Sequence, residues 1–559
     1  MKNKQNKLNN DEVKVDVQLI AKSRMLSPSD TAFRLVKMRS VNSGKSILIV
    51  IPAASLVSEH ELKKLLLKAG GDPSLSKNKM EFIFQEVTKQ IDIFILLRYK
   101  PGYCGDVYLR VNDKVIGEVK GDKPVLHPDA KKQLPNETKQ GTLKEWKINV
   151  AVYALHSTRI MLAICSAFSG LLLKLLDMEG GGFHLWGTSN MDKSSPAYIL
   201  ASVAGAPNLI ITNWNNTDKN LEEIAVAHND STLILDESKL LDKDLITTAK
   251  IITNRVHMLT EGKGKARSPL YANNVAEWRL GVFSTGELSF AQHTEIGKIE
   301  RLEGENVRMI DVPADAGRGM GIFESLPEGM TSSNELAHMV KDVTHRYYGS
   351  AKPAFLKRLV ADIQDDHEEL KNKLEKGINY FLDQHKVNRN SGIDVRIAKR
   401  FALAYVSGCL AIKYKILPFE KSDVMQSISK CYYDSLNMPC SQEPALSMLL
   451  HPDVIAILKS GEQLNLIKNG DLSKDLIKGA SAVLCKVKGK TVLAVDAKLI
   501  NGIMNPKLRK IVLKKLTQQG VLLSDSQKEY STVQIRYGDE VIDRRYCFVY
   551  DKLADLLSN

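Results

Sequence analysis

The sequence has no C-x-x-C pair and no cysteine–histidine cluster at zinc spacing, although its 559 residues include seven cysteines. Cys104, Cys165, Cys409, Cys431, Cys440, Cys485 and Cys547 are scattered and odd in number. That pattern reads as a reducing, cytoplasmic setting with buried thiols and no structural zinc. No apolar run reaches the length of a bilayer. The most apolar stretch, "IMLAICSAFSGLLLKLL" from Ile160, is unbroken for about 14 residues, too short to cross a membrane, and is expected to be a buried helix. The opening "MKNKQNKLNNDEVKVD" has no apolar centre and is not read as a signal peptide; residues 1–12 are expected to be disordered. Repeats and low-complexity tracts are missing as well. Charge balance is the remaining absence: 78 Lys and Arg stand against 65 Asp and Glu, a formal net charge of +13. A long basic chain suits a polyanionic partner, nucleic acid first, and a generally basic proteome is the plainer alternative.

The length suffices for three or four domains. Residues 13–150 mix short alternating runs with turns and predict an N-terminal α+β domain. There "SILIVIPAASL" and "IDIFILL" read as buried strands, and "GYCGDVYLRVNDKVIGEVKGDKPVL" as a hairpin turning at Asn112-Asp113. Residues 151–365 alternate helix and strand signals, as in an α/β domain with a parallel sheet. Residues 366–440 read as helical, with the charge pairs of "DDHEELKNKLEKGINYFLDQH" at helical spacing. Residues 441–559 run helix, short strand, the helix "NPKLRKIVLKKLTQQG", then strands. Helices followed by a two-stranded wing is the order of a winged helix, an order many small α+β domains share.

The stretch "GGGFHLWGTSNMDKSSPAYIL", residues 180–200, resembles the phosphate-loop pattern G-x-x-x-x-G-K-[ST] with one substitution. Gly187, Lys193 and Ser194 stand at the expected places, followed by Ser195, and Asp192 replaces the second glycine. Such a loop turns backbone N–H groups toward phosphate at a helix N-terminus. Lys193 would reach the terminal phosphates, and the Ser194 hydroxyl would hold Mg²⁺. A left-handed backbone at Asp192 would cost about 1–2 kcal/mol, and its carboxylate would place negative charge beside a triphosphate. Weakened nucleotide binding is therefore expected, and an ordinary strand–turn–helix is the alternative. About 40 residues on, "STLILDES" is an apolar strand ending in Asp236 and Glu237. Asp236 would hold Mg²⁺ through water, and Glu237 would orient and deprotonate the attacking water. A third strand, "VFSTGE", offers Thr285 as a γ-phosphate sensor or simply a capped turn. Lys263, Lys265 and Arg267 form a basic tip suited to a nucleic-acid backbone, or a solvated loop. Arg308 is the preferred arginine finger, with a surface ion pair as the alternative. Arg396 and Arg400, four apart on one helical face, would form a second sensor over the nucleotide or a charged helix surface.

The blocks "GGGFHLWGTSNMDKSS", "LEEIAVAHNDSTLILDE", "GKGKARSPLYANNVAEWRLGVFSTGE", "VRMIDVPADAGRGMGIFE", "HRYYGSAKPAFLKRLVAD" and "VRIAKRFALAYVSGCLA" occur in order over roughly residues 90–440. Together they resemble the helicase-like ATPase domain of phage and genomic-island replication proteins. The nearest likeness is to the MCM-like, self-loading replicative helicases of staphylococcal cassette chromosomes and pathogenicity islands. The resemblance implies an AAA+ P-loop ATPase core, a hexameric ring, ATP with Mg²⁺, and 3′-to-5′ DNA unwinding. It also implies an N-terminal domain, a helical lid and a C-terminal winged helix. Single-stranded DNA would run through the pore past Lys263 and Lys265. Duplex origin DNA would meet the winged helix through Lys507, Arg509, Lys510, Lys514 and Lys515. An ATPase-impaired DNA-binding assembly factor and a nucleotide-regulated loader module are the rival expectations.

Overall fold

Three groups of apolar strands, each bounded by polar turns, make three main sheets. The structure is a computed structural model. It describes residues 16–23, 32–112, 114–127, 130, 134–188, 191–236, 245–264, 276–297, 307–436, 478–498, 500, 513–514, 516–524, 532–537 and 540–553.

The first sheet contains β1 (Val17–Ser23), β2 (Phe33–Arg39) and β3 (Ser46–Pro52), followed by helices α1 (Glu59–Lys68) and α2 (Lys77–Thr88). Ser58 and Ser76 cap the two helices by accepting from backbone N–H groups of the first turn. Leu62, Leu66, Met80, Ile83 and Val87 of the helices pack on Leu19, Val36, Met38 and Ile51 of the sheet. β4 (Phe94–Arg98) pairs parallel with β1. The expected hairpin over residues 102–126 divides. β5 (Gly102–Cys104), β6 (Val107–Leu109) and β7 (Val115–Ile116) form a small antiparallel sheet, whereas β8 (Lys123–Leu126) leaves it to pair parallel with β4. The reason is burial: Pro124, Val125 and Leu126 are all buried, which an exposed hairpin arm would not achieve. Asp113 lies outside the described residues.

After α3 (Leu143–Asn149) comes α4 (Thr158–Ser169), in which every residue from Arg159 to Ser169 is buried. The central sheet follows. Its elements are β9 (Gly181–Trp186), α5 (Ser194–Ala204), α6 (Pro207–Ile210), β10 (Thr212–Asn213), α7 (Asp218–Ala227), β11 (Ser231–Asp236), α8 (Leu245–Glu261), β12 (Leu280–Gly286), α9 (Phe290–Gly297) and β13 (Met309–Pro313). The spatial order is β10-β11-β12-β9-β13, and every pairing is parallel. Parallel strands covered on both faces read as continuous apolar runs. One face of β11 and β12 turns Leu233, Leu235, Leu280 and Val282 toward α7 and α8. The other turns Ile234 and Phe283 into the main core with Phe183, Ile310 and α4.

Four long helices complete this core: α10 (Ser333–Arg346), α11 (Ala351–Gln384), α12 (Gly392–Lys413) and α13 (Lys421–Leu436). Phe355 of α11 stacks on Phe168 at 4.6 Å, and Phe401 of α12 meets Phe183 at 4.8 Å. The expected boundary at 365/366 falls inside α11, at its break, where Asp366 takes φ −153° and ψ 97°. Leu370 to Leu382 of α11 belong to the same core cluster as α4 and β9.

The tail holds β14 (Ala482–Val487), β15 (Lys490–Asp496), β16 (Leu522–Leu523), β17 (Val533–Tyr537) and β18 (Glu540–Val549), all paired antiparallel. Lys488 and Gly489, both at positive φ, make the two-residue turn between β14 and β15.

Close backbone approach within the central sheet carries the first prediction. A Cβ on Gly182 would lie 1.8 Å from the Val282 carbonyl oxygen. Backbone cannot give way as a side chain does, so Gly182→Ala is expected to lose stability at or above the usual overpacking range of about 1–3 kcal/mol. Urea unfolding of the full chain checks it.

Candidate functional site

The β9–loop–α5 turn sits at the carboxyl edge of the central sheet. β9 lies one strand in from the edge, with β12 on one side and β13 on the other, so chain order reverses beside it. Crevices at such a switch point are where open α/β sheets hold ligands. At the strand end, the Gly187 N–H donates to the Gly286 carbonyl at 3.1 Å. Asp192 takes φ +54°, the left-handed conformation that glycine adopts freely. Its carbonyl accepts from the Ser195 N–H at 3.3 Å, and α5 begins at Ser194. The Asp192 carboxyl is half-buried, and its Oδ2 has no hydrogen-bond partner among the described residues. Burial pushes its pKa up to about 6, against the opposing pull of Ser195, His338 and Lys193. The Lys193 ammonium folds back on its own loop and donates to the Thr188 carbonyl at 2.6 Å. Ser194 is half-buried and Ser195 buried at the head of α5. Behind the loop, the Ala314 N–H donates to the Trp186 carbonyl at 2.7 Å. Gly321 passes so near that a Cβ there would lie 2.9 Å from the Met191 carbonyl oxygen. This strap after β13 is not legible in the sequence pattern.

Asp236 ends β11 at the same edge, half-buried. The Thr285 hydroxyl of β12 donates to its Oδ1. Thr285 itself is paired in register with Leu185 of β9. Adjacent strands are about 4.8 Å apart, so Thr285 stands between the loop strand and Asp236. One residue earlier, the buried Ser284 hydroxyl accepts from Trp214 Nε1 at 3.0 Å and pairs with His184 Nδ1 at 2.9 Å. That hydroxyl belongs to the floor of the site.

Arg400 is a correction. It is buried against the opposite edge of the sheet, donating to the Glu179 and Gly180 carbonyls at 2.6 Å each. Six residues of β9 separate those carbonyls from the loop, roughly 20 Å of strand. Arg400 therefore does not form a sensor over this chain's own loop. Its role is to satisfy two orphan carbonyls before β9, and burial lowers its pKa to about 10. Arg396 is exposed and makes no hydrogen bond or ion pair among the described residues. Arg308 also lies at that far edge, pairing with Glu179 at 3.3 Å.

Lys263 bridges antiparallel to Glu277, with an ion pair at 3.7 Å. Lys265 and Arg267 lie outside the described residues, as do Glu237, Lys507, Arg509, Lys510 and Lys515. Lys514 is exposed on a helical turn. No helix among the described residues is long and apolar enough to cross a membrane, and none of them form a metal-holding cluster of three or more His, Cys, Asp or Glu.

Residues 1–274 match a family described as a domain of unknown function, DUF927. No curated protein sequence matches the chain. The structure is similar to one described as "SCCmec type IV Cch - active helicase", with TM-score 0.57 and 16% identity over 97% of this chain and 95% of that one. A second, described as "The A form apo structure of NrS-1 C terminal region-CTR(305-718)", aligns 72% of this chain and 89% of that one at 12% identity and TM-score 0.23. At 16% identity the first likeness shows a shared mixed α/β fold.

Proposed function

We propose that the chain is an ATP-dependent DNA helicase or replication initiator of a mobile element, built on an AAA+ P-loop core. The observation that carries this reading is the meeting of three features at one sheet edge: the β9–α5 loop, Thr285 and Asp236. The donor set suits nucleotide with magnesium, because a hydroxyl and a carboxylate are the oxygen ligands a hard cation takes. Bound magnesium supplies charge neutralisation between the terminal phosphates. Ser194 and Asp236 would hold it, while Lys193 would exchange the Thr188 carbonyl for phosphate. Thr285 orients the Asp236 carboxylate. Glu237, next along the chain, is proposed to orient the attacking water. Arg308 is proposed as a finger supplied in trans to a neighbouring copy, and its distance from its own loop supports that reading.

The wider reading rests on the resemblance and on the fold shared with a helicase structure. Copies would close into a hexameric ring, single-stranded DNA would pass Lys263, Lys265 and Arg267, and the basic tail would grip duplex as a winged helix. Residues 13–150, 151–365, 366–440 and 441–559 would be its N-terminal domain, ATPase core, helical lid and winged helix.

Asp192 and the folded-back Lys193 favour a second reading, an assembly factor with impaired hydrolysis. Asp192→Gly separates the two. The substitution removes a carboxylate from the phosphate cradle and relieves a left-handed backbone. On the helicase reading it raises kcat/KM for ATP by about tenfold, equivalent to about 1.4 kcal/mol, above an already measurable wild-type rate stimulated by DNA. An inactive wild type restored by the glycine supports the assembly factor. The check is phosphate release with and without single-stranded DNA. If neither protein hydrolyses ATP, the enzymatic reading is wrong.

A further inference from the structure

At the edge of the central sheet opposite the loop lies a cavity of about 520 Å³, within the size range of small-molecule sites. Gly180 before β9, Arg279 before β12, Arg308 before β13 and the end of α8 form one wall; Arg98 at the end of β4, Lys100 after it and Tyr103 of β5 form the other. Its described lining includes six cations, Arg98, Lys100, Lys174, Lys263, Arg279 and Arg308, and four carboxylates. Arg308 and Lys263 have acidic partners. The other four cations have no carboxylate within ion-pair distance among the described residues. Lys100 donates to the Glu277 carbonyl at 2.8 Å, Lys174 to the Tyr103 carbonyl at 3.2 Å, and Arg279 to the Leu173 carbonyl at 3.4 Å. The buried Asp230 carboxylate faces Lys100, Lys174 and Arg279 and offsets part of their charge, but three cations around one carboxylate keep an excess of positive charge that suits a further counter-ion. Burial lowers the Lys100 pKa from the ordinary lysine value, against the opposing pull of Asp230.

We propose that this cavity is a second anion site, separate from the phosphate loop, that takes a phosphorylated small molecule of nucleotide size. The charge pattern selects the class. Arg98, Lys100 and Arg279 are half-buried and outnumber the one buried carboxylate of the lining, Asp230, whereas Glu261 and Glu277 are exposed. Carboxylates at the rim repel a continuous nucleic-acid backbone, which needs an uninterrupted basic track. A compact ligand escapes that conflict: its phosphate meets the inner cations, and its hydroxyl or amino donors meet the outer carboxylates. Gly262, Lys263 and Trp278 line the same cavity.

The test is calorimetric titration of the full chain with ADP and, separately, with pyrophosphate. A Lys193→Ala background removes the loop's contribution under the proposed function. In that background ADP is expected to bind one site per chain. Adding Lys174→Glu or Arg279→Ala is expected to weaken both probes at least tenfold, while Arg279→Lys keeps most of the affinity. Lys174 is exposed, so its reversal leaves the fold intact, which the thermal unfolding midpoint verifies. Wild type and Lys193→Ala titrating alike would count against the loop and leave the cavity variants to decide alone. Unchanged ADP and pyrophosphate affinity in the cavity variants overturns the proposal. So does a loss confined to a single-stranded oligonucleotide, which would make the cavity part of a backbone track.

Discussion

Asp236→Asn is expected to reduce DNA-stimulated ATP hydrolysis by about 10²–10³-fold, the usual effect of removing one preorganised charge from a transition state. The reason is the residue's place on β11. Its continuous apolar run is buried between two helix layers and ends with Asp236 half-exposed at the carboxyl edge. The Thr285 hydroxyl already donates to this carboxylate, so the group proposed to face the metal is held in orientation by its neighbouring strand. Asparagine keeps the shape and the Thr285 contact but loses the charge. Nucleotide affinity measured without magnesium should therefore stay near the wild-type value, while the gain on adding magnesium disappears. Equal magnesium dependence in the two proteins would remove Asp236 from the site. Thr285→Val serves as the companion: it frees the carboxylate without deleting it, and a smaller loss is expected.

Much of this site is legible in sequence because its signals are local. A strand, a turn and a helix start are encoded within about twenty residues, and the left-handed backbone at Asp192 follows from the position a glycine normally holds. The apolar run ending in Asp236 is legible for the same reason. What escapes is the pairing of distant segments. Arg400 lies four residues from Arg396 and reads as its partner, yet its guanidinium turns to carbonyls some 220 residues away. The strand Lys123–Leu126 reads as a hairpin arm, because nothing local shows that β4 offers a parallel edge. Neither the strap at Ala314 and Gly321 nor the Ser284–Trp214–His184 floor has a spacing to betray it. Each depends on which strands become neighbours, and strand order is a property of the whole sheet.

The same non-local logic sets the largest expected effect on stability. Glu137 is 3% exposed at its side chain and is held by Lys352 at 2.6 Å and Arg110 at 3.0 Å. Lys352 also donates to the Ser231 hydroxyl at 2.7 Å, so one ammonium ties α11 to β11 and to the segment leading into α3. Burial alone would raise the Glu137 pKa, but Lys352 and Arg110 more than offset it, and the net value falls below the ordinary 4.5. Lys352→Met leaves a buried carboxylate with one cation, and the expected loss is about 3–5 kcal/mol at neutral pH. The pH dependence has a definite sign. A carboxylate with a depressed native pKa stabilises the fold above its unfolded value, and that stabilisation fades as pH falls through the native one. Protonated Glu137 no longer needs the ammonium, so wild type and Lys352→Met should converge in stability as acid is added. Urea midpoints at pH 7 and near pH 4 measure the gap. A gap of constant width would mean that Lys352 acts through its Ser231 contact and its packing, because neither of those senses the charge on Glu137.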